Sequence, residues 1–128
     1  MSELRFAGEI AERLRGRDEG FDERAYLFVL AAIEYLQVRL PARRHVSGQE
    51  LTHACREFAL EQYGLMARTV LEHWGIRRTE DFGRIVFALV DVGLLVTQSN
   101  DRVEDFHEVY SFDVAFDASY VWQGLQEG

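Results

Sequence analysis

Four histidines, one cysteine and a few well-spaced carboxylates are the residues of this 128-residue chain best suited to chemistry. Glu50-x-x-His53, with Glu57 one turn further along, has the spacing of a helical carboxylate–histidine metal ligand. A di-iron bundle needs that motif twice, with glutamates from two further helices, and the sequence has no second copy. His53-Ala54-Cys55 lacks the second Cys or His pair of a zinc site. Glu50 and His53 therefore read as a capping glutamate beside a surface histidine, and neither metal nor cofactor is expected. Ser47 follows His45 by two residues just ahead of a helix, which makes no nucleophile–base triad, and there is no GxSxG elbow. Cys55 falls on the apolar face of its helix and reads as a small buried hydrophobe rather than a thiolate. His73, beside Trp74 at a helix end, has a structural reading through the helix dipole. All fourteen basic residues are arginine. Without lysine, Schiff-base catalysis and a GxxxxGK[ST] phosphate loop are both ruled out. No catalytic residue is expected.

The elements that would position these side chains are mostly helical. Ser2 caps an amphipathic stretch over about 3–15 that carries Phe6, Ile10 and Leu14 on one face and Arg13, Arg15 and the following Arg17 off it. Asp22 caps a helix over about 23–39, whose wide apolar stripe (Tyr26, Val29, Leu30, Ile33, Leu36) marks it as central to the core. Pro41, the only proline, breaks the pattern. Ser47-Gly48-Gln49-Glu50 is a capping box that opens a third helix burying Leu51, Ala54, Cys55 and Phe58 and ending at Gly64. A fourth short helix covers about 65–74. Thr79 caps a fifth over 79–92, with Glu80 and Asp81 in its first turn. After Gly93 the periodicity changes. Leu94–Thr97 reads as a strand, Gln98–Asp101 as a turn and Glu108–Val114 as a return strand. The expected fold is mainly α, with about five helices and a small C-terminal β-hairpin, in winged-helix-like order. It forms one domain over 1–128, made of an N-terminal helical pair (1–40), a winged-helix-like part (44–116) and a tail (117–128).

Composition narrows the function. Hydrophobic residues make up 48% of the chain, enough for a packed core without disulfide or metal support. A single cysteine, no apolar leader at Met1–Arg5 and no apolar run of membrane-spanning length together lead us to expect a cytoplasmic protein. The net charge of −8 is unevenly placed. Beyond residue 97, Asp101, Glu104, Asp105, Glu108, Asp113, Asp117 and Glu127 face Arg102 alone, a net of −6. A DNA-reading winged helix needs positive charge on its recognition helix and wing, because phosphate neutralisation supplies most of the affinity. Here the candidate recognition helix holds Glu80, Asp81 and Asp91 against Arg84, so neither it nor the wing suits DNA. Arg43-Arg44-His45, Arg77-Arg78 and Arg13/Arg15/Arg17 form a nucleic-acid surface only if they converge. The leading expectation is a non-enzymatic protein-interaction module. Its candidate contacts are Arg43, Arg44, His45, Arg77, Arg78 and the acidic Asp101, Glu104, Asp105 and Glu108. The partner is an unidentified protein; a homodimer is compatible with this, and a membrane is not expected.

Two runs, Arg44-His45-Val46-Ser47-Gly48-Gln49-Glu50-Leu51 and Ala59-Leu60-Glu61-Gln62-Tyr63-Gly64 with Met66-Ala67, occur together with Trp74-Gly75-Ile76 and Asp81-Phe82-Gly83-x-Ile85-Val86-Phe87. In this combination the chain resembles a family of small conserved bacterial proteins of planctomycete and verrucomicrobial type, over roughly Tyr26 to Phe116. The resemblance implies no activity and transfers no catalytic residues. It supports Ser47–Glu50 as a cap shared by the fold. Family members tend to have proline where this chain has Leu65, so the turn after Gly64 is less rigidly preset here.

Overall fold

The computed structural model describes residues 20–116 together with Glu12. The expected first helix, with Arg13, Arg15 and Arg17, and the tail over 117–128 lie outside the described residues. The rest is mainly helical: α1 (Glu23–Arg39), α2 (Gly48–Tyr63), a 3₁₀ turn (Gly64–Met66), α3 (Ala67–His73), α4 (Thr79–Asp91), a second 3₁₀ turn (Val103–Phe106) and a one-turn α5 (Phe112–Ala115).

Among the described residues, helix starts follow the capping chemistry at two of the three expected positions. The Asp22 carboxylate accepts from the Arg24 backbone N–H at 2.9 Å. The Ser47 hydroxyl accepts from the Glu50 N–H at 3.1 Å while the Glu50 carboxylate accepts from the Ser47 N–H at 3.0 Å, a complete capping box. Thr79 is a correction. It is the first residue of α4 rather than its cap, and its fully buried hydroxyl works across the fold. It donates to the Phe106 carbonyl at 2.7 Å and accepts from the Val109 N–H at 3.2 Å. The start of α4 is tied instead by Asp81, whose carboxylate accepts from the Arg77 and Arg78 N–H groups at 2.8 and 3.3 Å. Gly64 ends α2 at φ +54°, in the left-handed region open to glycine.

One core joins these helices. Ala25, Val29 and Ala32 of α1, Leu51, Cys55 and Ala59 of α2, Leu71 of α3 and Phe82, Ile85 and Leu89 of α4 are all buried in it. An aromatic chain holds α1, α2 and the end of α3 together. Phe28 packs on Phe58 and Trp74 at ring separations of 5.3 and 5.8 Å, and Tyr63 meets Trp74 edge-on. Such pairs add stability beyond the area they bury.

No strand occurs among the described residues. Leu94 and Leu95 send their N–H groups back to the Leu89 carbonyl at 2.9 and 3.3 Å, closing the end of α4 instead of entering a ladder. On the return side, Glu108 takes a positive φ of 45°, which breaks an extended run. Ser111 then caps α5 through the Asp113 N–H. The apolar residues of this segment bury as separate anchors. Phe106, Phe112 and Phe116 are each less than a tenth exposed, and Phe112 stands edge-on to Phe116 at 4.9 Å. The C-terminal aromatics within the described residues are thus packed onto the body; Tyr120 and Trp122 lie outside them.

Candidate functional site

The segment 94–113 packs against α2 and α4 and is fixed at several points. Phe106 enters a notch made by two glycines. A Cβ on Gly83 would lie 2.8 Å from the Phe106 ring, and one on Gly48 would lie 2.9 Å from the Asp105 Cβ and 3.0 Å from the ring. Below it, the Tyr110 hydroxyl donates to the Thr52 carbonyl at 2.9 Å, and burial pushes its phenol pKa well above the usual range. Arg56 donates to the Ala115 carbonyl at 3.0 Å, and Arg68 pairs with Asp113 at 2.7 Å. The acidic stretch is therefore a ridge bound to the helices.

Between ridge and helices lies a cavity of about 200 Å³. Ile33, Leu51, Val86, Val90, Leu95 and Phe106 give it a mostly apolar lining, with Gln37, Ser47 and Thr97 among them. His45, Asp101, Arg102 and Asp105 line it as well. His45 Nε2 lies 3.0 Å from Asp101 Oδ1, which joins the α1–α2 connection to the ridge. Burial opposes ionisation of Asp101, yet the Gln98 N–H and His45 together hold its carboxyl below the ordinary range. Asp105 accepts from the Arg102 N–H at 3.1 Å. Glu104 is exposed and makes no ion pair among the described residues.

The arginine clusters fare differently. Arg43 forms a two-point pair with Glu34, at 3.0 Å for each contact. Arg44 does the same with Glu50, at 2.6 and 3.1 Å, and its backbone N–H donates to the Gln37 side chain. The Arg44 guanidinium, together with the Ser47 N–H, pulls the Glu50 carboxyl down to about 2. Arg77 and Arg78 are exposed and make no ion pair among the described residues. They line a groove of about 520 Å³ with Arg68, but Glu80, Glu108 and Asp113 line it too. His45 meets the cavity beside Val86 and Val90, whereas Arg77 and Arg78 precede Thr79. Roughly 10–16 Å of helix rise separates those positions along α4, and His45 lines a different cavity from Arg77 and Arg78.

The remaining candidates do not assemble a reactive centre. Glu50 is held by Arg44 and by its cap, and the exposed His53 ring lies 5.8 Å from that of Tyr110. Among the described residues, no three His, Cys, Asp or Glu side chains are placed to hold a metal ion together. The Ser47 hydroxyl is occupied by its cap. Cys55 is fully buried, which pushes its thiol pKa far up. No helix among the described residues is long and apolar enough to cross a membrane. The cavity itself was not visible as a sequence motif. Gly83, a glycine well inside a helix, was the signal for the close approach beside it.

No protein-family model matches the chain, and no curated protein or solved structure matches it significantly.

Proposed function

We propose that this protein is a non-enzymatic interaction module that presents an acidic ridge, residues 101–113, to a basic protein partner. One observation carries the reading: the cations of the α1–α2 connection are neutralised within the chain, while Glu104 and Asp105 at the centre of the ridge have no cation partner among the described residues. Arg43 and Arg44 are matched by Glu34 and Glu50. On the ridge, Asp101 meets His45 and Asp113 pairs with Arg68, whereas Asp105 accepts from the Arg102 N–H, which orients a carboxylate without cancelling its charge, and Glu104 has no cation partner among the described residues. Complementary charge of this kind steers encounter and selects partners.

The nucleic-acid alternative rests on Arg77 and Arg78, since Arg43 and Arg44 are already paired and Arg13, Arg15 and Arg17 lie outside the described residues. Carboxylates interleave with Arg77 and Arg78 in their groove and repel a phosphate track. The winged-helix likeness is supported by helix order alone, and membership of the bacterial family by the sequence runs alone; both are proposals.

Fluorescence anisotropy with labelled oligo-arginine, double-stranded DNA and single-stranded RNA tests the function. The expected result is oligo-arginine binding that weakens as salt rises, with no binding of either nucleic acid at low salt. Glu104→Gln, at an exposed position, is expected to weaken oligo-arginine binding roughly two- to fivefold, as loss of an exposed pair does. Tighter binding of DNA or RNA than of oligo-arginine overturns the proposal.

A further inference from the structure

From the cavity under the ridge we infer that the partner is recognised through one large apolar side chain flanked by arginine or lysine. The side chain enters between α1, α2 and α4 while the flanking cations meet Asp101, Glu104 and Asp105. This rests on the reading above and adds a specificity element to it.

Size comes first. At about 200 Å³ the cavity falls below the roughly 300–1,000 Å³ of sites that enclose a whole small molecule. It suits a leucine- or phenylalanine-sized group with the remainder of its chain outside. The walls come next: Val86, Val90, Leu95 and Phe106 offer no hydrogen-bonding side chain, while Gln37 and Ser47 on the same lining already bond Arg44 and Glu50, so a polar occupant would recover little of its lost hydration. Among the charged groups on the lining, the two carboxylates of Asp101 and Asp105 outnumber the guanidinium of Arg102. An apolar anchor surrounded by opposite charges is the arrangement in which interface energy concentrates, with rim contacts keeping water out.

The rim also has an apolar element that the fold does not use. Val96 lines the cavity yet is 89% exposed, continuing its wall outward onto the surface. Two contacts within the chain fix parts of this lining: His45 with Asp101, and Phe106 in its glycine notch. A preformed site of this kind spares the partner much of the ordering cost of binding.

The test uses the full ¹⁵N-labelled chain and two blocked peptides, acetyl-Gly-Arg-Leu-Arg-Gly-amide and the same peptide with Ala for Leu, titrated at low ionic strength and followed by amide shifts. The leucine peptide is expected to move the Val86, Val90 and Leu95 resonances and to bind on the order of tenfold more tightly than the alanine peptide. Val90→Phe, which fills the cavity, is expected to remove that preference. Should Val90→Phe not fold, Val96→Ser at the exposed rim is expected to reduce it several-fold with the fold intact. Equal affinity of the two peptides, with shifts confined to 101–113, overturns the inference and leaves the basic-partner reading standing. Failure of both peptides to bind overturns the two together. A chain that sediments as a dimer, with these same resonances at its interface, assigns the cavity to a second copy and also overturns the inference.

Discussion

At the scale of single residues, the capping box at Ser47 and Glu50 links the helical core to the candidate site. It starts α2 immediately after His45, which lines the cavity. Ser47→Ala leaves the Glu50 N–H without its acceptor and is expected to cost about 1 kcal/mol, a fall in Tm of roughly 4 °C for a chain of this length. Glu50 adds a pH signature. Its carboxyl is held at about 2 by Arg44 and the Ser47 N–H, below its value in the unfolded chain. Its contribution is therefore complete above the ordinary glutamate range and is lost as pH falls from there towards about 2. Glu50→Gln is expected to lower Tm by a few degrees at neutral pH, with the two melting curves converging in acid. A constant gap between variant and parent down to the lowest pH would show that the charge plays no part. Thermal melts followed by circular dichroism across the pH range decide it.

At the scale of elements, the helices were legible and the ridge was not. The apolar stripe of Tyr26, Val29 and Ile33 and the Ser47–Glu50 box are local patterns, and α1 and α2 follow them directly. The segment after Gly93 depends on what it packs against. Leu94 and Leu95 carry a strand-like sequence, but their N–H groups close α4, a choice set by the helix end. Phe106 and Phe112 alternate with polar residues in the chain but bury by separate routes, one in a glycine notch and one against Phe82 and Phe116. The arginine pairs were equally invisible, because Glu34 and Arg43 meet only once α1 turns back at Pro41. The notch makes the ridge testable. Gly83→Ala drives a methyl into the Phe106 ring and is expected to cost about 1–3 kcal/mol, as overpacking does. Phe106→Ala empties the notch at about 3–5 kcal/mol. In the double variant the clash has no ring to meet, so denaturant unfolding is expected to show a cost below the sum of the two. Strict additivity would mean that Gly83 matters for its helix and not for docking the ridge. Thr79→Val is a second element-scale test. It removes the acceptor of the Val109 N–H and the donor to the Phe106 carbonyl, and is expected to cost roughly 1–3 kcal/mol.

At the scale of the whole molecule, two features coexist: one continuous apolar core and a strongly asymmetric charge. The core joins all four longer helices and extends to Phe106, Phe112 and Phe116, so the ridge shares it with the helices. Ridge and body should then open together, and the exposed carboxylates stay presented in one geometry as long as the core holds. Cys55 reports on this. It is fully buried between the helices, and burial keeps its thiol protonated, so a thiol reagent reaches it only through opening of the core. Labelling of the native chain is expected to run at least on the order of 10³-fold slower than labelling in denaturant, as a core with ordinary domain stability implies. The opening free energy from that ratio is expected to equal the value from denaturant unfolding. Gly83→Ala, which loosens the ridge, should lower both by the same amount. If Cys55 labels faster than global unfolding allows, the core opens in part. If Gly83→Ala also accelerates labelling without moving the denaturant midpoint, the ridge is a separately opening unit, and the acidic surface is then presented only intermittently to a partner.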